Sequence, residues 1–171
     1  MSRMSAILGS VLFFLIAPGV IAGLLPWWLS RWHIQAPILG FGPIRVVGFL
    51  LVVAGIALLV DCFVRFALQG EGTPAPVAPP RRLVVKGAYR YVRNPIYVAV
   101  LAIIAGQGLV LGDVVVLAYA VVVWICCHLF VLAYEEPTLR RTFGREYEIY
   151  YENVPRWIPG LRPWRTGTSQ N

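Results

Sequence analysis

IYVAVLAIIAGQGLVLGDVVVLAYAVVVWICCHLFVLAYEE, residues 96–136, is an apolar tract whose one internal charge is Asp113 and which closes on two glutamates. It divides into runs Ile96–Leu111 and Val114–Tyr134, separated by Gly112-Asp113. The second run is long enough to cross a hydrocarbon core, which takes about 20 residues; the first is shorter and contains Gly106 and Gly108. So short a connection predicts a tight helical hairpin. The runs are uninterrupted, without the alternation of buried and solvated faces that a globular core imposes, which makes lipid the expected solvent.

Two further runs lie upstream. Ile44–Val60 is followed by Asp61-Cys62-Phe63-Val64-Arg65, where charge returns at an expected interface. Ile7–Leu29 carries no charge, is longer than the roughly 7–15 residues of a signal h-region, and reaches Pro26-Trp27-Trp28 without a small-x-small cleavage site. Those tryptophans read as an interfacial belt. Composition agrees: 58% of residues are hydrophobic, 13% are charged, and mean hydropathy is +0.71. A water-soluble domain has about 45–50% apolar residues. The expected fold class is an all-α integral membrane protein of about four transmembrane helices, the last two a tight hairpin, plus a C-terminal interfacial amphipathic helix.

Charge orients the chain. Arg81, Arg82, Lys86, Arg90 and Arg93 lie between the second and third runs. Arg140, Arg141, Arg145, Arg156, Arg162 and Arg165 follow the fourth, and the Gly112-Asp113 turn has no basic residue. With four spans, the N-terminus (including Arg3), the middle segment and the tail share one side, which the positive-inside bias makes cytoplasmic. That bias accounts for the net charge of +7. The aromatics are not interleaved with the basic residues as in a nucleic-acid stacking platform, so nucleic acid is excluded as a partner and anionic lipid headgroups are expected.

Residues 1–68 read as an N-terminal transmembrane hairpin and 69–86 as a Pro/Gly-rich cytoplasmic connector containing QGEGTPAPVAPP. Residues 87–160 read as the core that carries the chemistry, and 161–171 as a disordered tail. Pro137 should end or kink the fourth span. From Thr138, Leu139, Phe143, Tyr147 and Tyr150 or Tyr151 recur at helical spacing, predicting an amphipathic helix on the interface, stopped by Val154-Pro155-Arg156-Trp157-Ile158-Pro159. No metal site is expected: Cys126 and Cys127 point about 100° apart on a helix, and neither they, Cys62 nor His128 has a partner at ligand spacing.

Candidate chemistry brackets the hairpin. Gly87-Ala88-Tyr89-Arg90-Tyr91-Val92-Arg93-Asn94-Pro95-Ile96-Tyr97 leads into it, and Glu135-Glu136 leaves it. A hairpin brings these ends together. The charges could be interface markers that pair as ion bridges, yet adjacent carboxylates at a membrane boundary repel each other and lose solvation unless a cation is supplied. An arginine or a cationic ligand could be that cation. Gly106-Gln107-Gly108, with Ala102 and Ala105, could serve close helix packing or let a flat ligand lie against the backbone, and Gln107 requires a polar partner in hydrocarbon.

The ordered set Gly87-x-Tyr89-Arg90-Tyr91-x-Arg93-Asn94-Pro95-x-Tyr97, Gly106-x-Gly108, Glu135-Glu136-x-x-Leu139-x-x-x-Phe143-Gly144-x-x-Tyr147-x-x-Tyr150 and Pro155-Arg156-x-x-Pro159 resembles the isoprenylcysteine carboxyl methyltransferase and phospholipid methyltransferase superfamily over roughly residues 83 to 160. The resemblance implies an S-adenosyl-L-methionine-dependent methyltransferase with the cofactor entering from the cytosol and a lipophilic acceptor from the bilayer. It assigns Tyr89, Gly106, Gln107, Gly108, Glu135, Glu136, Tyr147 and Arg156 to the cofactor, with Pro159 closing the pocket, and Arg93, Asn94 and Tyr97 to catalysis. Arg93 could grip a carboxylate of either cofactor or acceptor. Family members commonly have His after this arginine. Asn94 cannot titrate near neutrality, so an acceptor that needs no base, a carboxylate or thiolate, suits the chain better than a protonated amine. An isoprenylcysteine-type carboxylate is the expected acceptor. A phospholipid or small thiol is the alternative within the class, and a membrane reductase or a non-enzymatic four-helix protein the alternatives outside it.

Overall fold

The computed structural model describes residues 16–69, 83 and 85–165, with side chains at 66–69 left aside. The start of the first apolar run, Arg3, residues 70–82 of the expected connector and the last six residues lie outside it. The described residues are all helix, turn and irregular backbone. Helix α1 spans Ile16–Ser30, α2 Ile44–Gln69, α3 Pro95–Leu111 and α4 Val114–Phe130; a π-helical turn, Val131–Glu135, then leads into α5, Glu136–Phe143, and α6 is Arg145–Asn153. Ile44–Arg65 and the continuous stretch Val114–Phe143 are long and apolar enough to cross a membrane; Ile16–Ser30 and Pro95–Leu111 are shorter apolar helices.

The central element is α3. Ala99, Val100, Ile103 and Ile104 are buried from it against Leu59 and Phe63 of α2 and Val116, Ala120 and Val123 of α4. The α3–α4 turn is closed by a left-handed Gly112 and by Asp113, whose Oδ1 accepts from the amides of Val115 and Val116 at 2.8 and 3.2 Å. This N-cap satisfies two orphan donors of α4.

Along α2 and α3 the backbones meet closely. A Cβ added at Gly48 would stand 2.7 Å from the Gly106 carbonyl oxygen, and one at Gly55 would stand 2.8 Å from that of Ala99. Small residues seven apart on each helix thus set an antiparallel contact that no larger side chain allows. Helix α2 packs on α3, while α1 docks on α3 and α4. A π-helical turn in α1, Val20–Leu24, explains the second contact. Gln107 Nε2 donates to the Ala22 carbonyl at 2.7 Å, and Tyr119 donates to that of Ile21 at 3.0 Å. Carbonyls displaced from the regular ladder thereby gain donors from neighbouring helices.

The C-terminal region departs from expectation in three ways. Pro137 does not end the fourth helix. It has no N–H for the carbonyl of Ala133, and the preceding π turn absorbs the irregularity so that the helix runs on to Phe143. The expected single amphipathic helix is broken at Gly144, whose φ of 52° and ψ of −124° are open to glycine and strained for other residues. The aromatic face of α6 is also not turned to lipid: Tyr147, Tyr150 and Val154 are buried with Leu83, Val85, Leu139, Phe143 and Trp164. Trp164 packs against this cluster, and residues 166–171 of the expected disordered tail lie outside the described residues.

Gly106→Ala, which forces the α2 and α3 backbones apart, should lower stability by about 1–3 kcal/mol, seen as a reduced thermal midpoint in detergent. An unchanged midpoint would contradict this packing.

Candidate active site

Two local irregularities aim the site. Asn94 precedes Pro95 and is driven out of the helical region, at φ −118° and ψ 56°, so the chain turns sharply at Arg93-Asn94 before α3 starts. On the facing strand of the hairpin, the π turn sweeps less angle per residue than an α turn, directing consecutive Glu135 and Glu136 more nearly the same way. The two carboxylates meet two residues four apart in the sequence, one in the turn and one in the first turn of α3. Tyr97 donates to Glu135 Oε2 at 3.1 Å, and Arg93 Nη1 donates to Glu136 Oε1 at 3.1 Å.

Glu136 is also held from the tail. Arg156 binds it through two parallel bonds, Nε to Oε1 at 2.7 Å and Nη2 to Oε2 at 3.0 Å. With the residue only 5% exposed, this carboxylate is enclosed by two guanidinium groups. The bidentate bond holds the Arg156 guanidinium more firmly in its charged form than usual. Glu135 makes no ion pair among the described residues; its contact is the Tyr97 hydroxyl. Arg93 has a buried Nε with no hydrogen-bond partner.

The tail is stitched to the segment before α3. The Arg93 amide donates to the Pro155 carbonyl at 2.9 Å, the Gly160 amide to Tyr91 at 2.8 Å, and the Trp164 amide to Arg90 at 2.8 Å. Arg90 Nε returns a bond to the Trp164 carbonyl at 2.8 Å. Asn94 Nδ2 donates to the Arg156 carbonyl at 3.2 Å, and Tyr150 donates to the Tyr89 carbonyl at 2.8 Å. Trp157 Nε1 donates to His128 Nδ1 at 3.1 Å, which accounts for the lone histidine of α4 without a metal. Burial, then the charge of Glu136, pushes the Tyr147 hydroxyl up to about 12, and burial also raises that of Tyr89, so both stay neutral near pH 7.

Arg93, Asn94, Tyr97, Glu135, Glu136, Tyr147 and Arg156 are therefore gathered at one mouth of the hairpin, with Tyr89 on the adjoining turn. Gly106, Gln107 and Gly108 are not brought there. They lie on α3 three turns, roughly 16 Å, from Pro95. Gly106 is pressed on Gly48 and Val52, Gly108 on Leu117, and Gln107 is bonded to α1. One residue of the cluster gave no chemical signal in the sequence: Tyr151, whose ring lies 4.0 Å from the Arg93 guanidinium carbon.

Glu136→Ala leaves two arginines facing each other without their shared anion, and breaking a buried pair of this kind costs about 3–5 kcal/mol. A large fall in thermal midpoint, with faster proteolysis after Val154, is expected. Asn94→Ala, losing one neutral hydrogen bond, should cost about 1 kcal/mol. Equal, small effects would contradict the tie.

The family profile described as phospholipid methyltransferase matches residues 44–146. The match takes in α2 to α5 and starts well before the motifs legible in the sequence. A curated relative from Arabidopsis thaliana, Protein-S-isoprenylcysteine O-methyltransferase B, is 36% identical over 81 residues. That alignment covers 46% of this chain and 40% of the relative, so the chain matches less than half of that protein's length. No solved structure matches. The profile covers well over half of the chain and contains Arg93, Tyr97 and both glutamates, and on that ground the chain belongs to the phospholipid methyltransferase family.

Proposed function

We propose that this chain is a membrane-embedded methyltransferase that uses S-adenosyl-L-methionine and methylates a lipophilic acceptor bearing an isoprenylcysteine-type carboxylate, at a site facing the cytoplasm. The observation that carries this reading is a pair of unmet needs at one mouth of the hairpin. Among the described residues Glu135 has a hydroxyl partner and no cation, and Arg93 has a buried Nε and no acceptor for it. A half-buried carboxylate without a cation and a buried donor without an acceptor are both costly. A zwitterionic amino-acid ligand that also carries a sulfonium would satisfy both.

In this assignment Glu135 takes the positive end and Arg93 the carboxylate, while Tyr97 fixes the Glu135 rotamer. Tyr89, Tyr147 and Arg156 wall the site. When bound, the cofactor supplies a methyl group on a positively charged sulfur that departs as a neutral thioether. The protein's part is to align acceptor and methyl and to exclude water, and orientation of this kind is worth about 7–11 kcal/mol of barrier. Gly106, Gln107 and Gly108 are left out, because helix packing already occupies them.

The acceptor follows from what Asn94 does. Its amide binds the tail and cannot accept a proton near neutrality, so an acceptor already nucleophilic at pH 7 is favoured, as a carboxylate is. The similarity to an isoprenylcysteine O-methyltransferase points the same way. Four spans would put the arginine-rich segments at the end that holds the site, and the positive-inside bias makes that end cytoplasmic.

Detergent-solubilised protein should bind S-adenosylhomocysteine, with affinity reduced at least tenfold by Glu135→Gln in calorimetric titration. Displacement by NADPH, or indifference to the substitution, would contradict the reading. With isotopically labelled methyl donor, an S-prenylated cysteine should be methylated in preference to phosphatidylethanolamine or a small thiol; labelling of either of those alone would reassign the acceptor.

A further inference from the structure

Arg93 is the cation that the proposed function turns toward a ligand, and an arginine on a flexible stem does not hold a fixed plane unaided. Its Nη1 donates to Glu136 Oε1 at 3.1 Å, and the Tyr147 hydroxyl lies within hydrogen-bonding reach of the Arg93 side chain. Contacts at the edge atoms leave the guanidinium plane free to tilt about them. The second constraint is Tyr151, whose ring centroid lies 4.0 Å from the Arg93 guanidinium carbon. Arg140 also lies over the ring, at 4.5 Å, and is itself tied to Glu148 at 3.1 Å. Arg156 Nη2 reaches the Tyr151 hydroxyl at 3.5 Å, the limit of such a contact. The ring is thus held by charged neighbours on α5 and the tail, and it supplies a flat electron-rich face against which a planar cation settles.

A point contact and a plane together fix which edge of the guanidinium is spent and which stays open. The spent atom is Nη1. The open one is Nε, buried and without a hydrogen-bond partner. We propose that Tyr151 is the positioning residue of the site: its ring sets the plane of Arg93 so that the Nε edge is presented to the carboxylate of the bound ligand. Tyr151 does not touch the ligand in this account and acts through Arg93. The family profile ends at residue 146, so the tail residue that aims Arg93 lies beyond the matched segment. The inference rests on the proposed function, because it takes the ligand to carry a carboxylate.

The test uses full-length protein in detergent, with S-adenosylhomocysteine as the binding probe and labelled methyl transfer as the kinetic readout. Tyr151→Leu removes the ring and should weaken binding about tenfold, raising the KM for the methyl donor while kcat at saturation and the thermal midpoint hold. Tyr151→Phe keeps the ring and loses only the 3.5 Å contact, and should restore binding to within about twofold of the unmodified chain. If Tyr151→Leu does not fold, Tyr151→Met, flexible and of similar bulk, takes its place. Binding by the leucine or methionine variant as tight as that of the unmodified chain overturns the inference. So does an equal loss in Tyr151→Phe, or a fall in kcat with KM unchanged. Failure of the unmodified chain to bind the probe overturns the functional reading and the inference with it, which separates the two failures.

Discussion

The structure turns on one buried carboxylate. Glu136, enclosed by Arg93 at 3.1 Å and by the bidentate pair of hydrogen bonds from Arg156 at 2.7 and 3.0 Å, joins three stretches that are distant in sequence: the turn before α3, the start of α5, and the tail. A charge so enclosed is costly to desolvate, and the geometry offsets that cost only while all three members are present. The mouth of the hairpin is therefore closed by this ion cluster together with the apolar packing of Tyr147, Tyr150 and Val154. Glu135, one residue away from Glu136, is left with a hydroxyl and no cation among the described residues. The same Glu-Glu pair thus supplies one structural tie and one group available for chemistry.

Backbone irregularity makes that division possible. The π turn before Glu136 lets a helix containing Pro137 continue, and it faces both glutamates toward α3. At the other end of the molecule the π turn of α1 offers carbonyls that Gln107 and Tyr119 take up. In α1 the widened turn exchanges a regular ladder bond for a bond to another helix, and before α5 it brings the Glu135 side chain to Tyr97 of α3. This is a workable way to fix helix positions where apolar packing against lipid-like surfaces has no directional preference.

Much of this was legible in the sequence. An all-α fold of apolar helices followed from the uncharged runs, and of Arg90 and Arg93, both expected beside the glutamates, Arg93 reaches Glu136 while Arg90 binds the Trp164 carbonyl. The residues that failed to follow share a cause. Gly106 and Gly108 look alike whether a ligand or a helix lies against them, and only the placement of Gly48 and Leu117 decides. Tyr147 and Tyr150 recur at amphipathic spacing, but spacing does not say whether lipid or the protein's own Leu83, Val85 and Trp164 will cover them. Tyr151 shares that pattern and became distinguishable only when Arg93 and Arg140 were found over its ring. Trp157 and His128 are 29 residues apart, and nothing in either segment announces their bond.

The central claim is that the methyl donor sits at the hairpin mouth between Glu135 and Arg93, roofed by the tail. Ultraviolet cross-linking of labelled S-adenosylmethionine to the solubilised protein, followed by peptide mapping, addresses it most directly. The account predicts label on the segments around Tyr97, Glu135 or Tyr147, competed away by S-adenosylhomocysteine. Label confined to α2, or to the α3 segment around Gly106–Gly108, would contradict it.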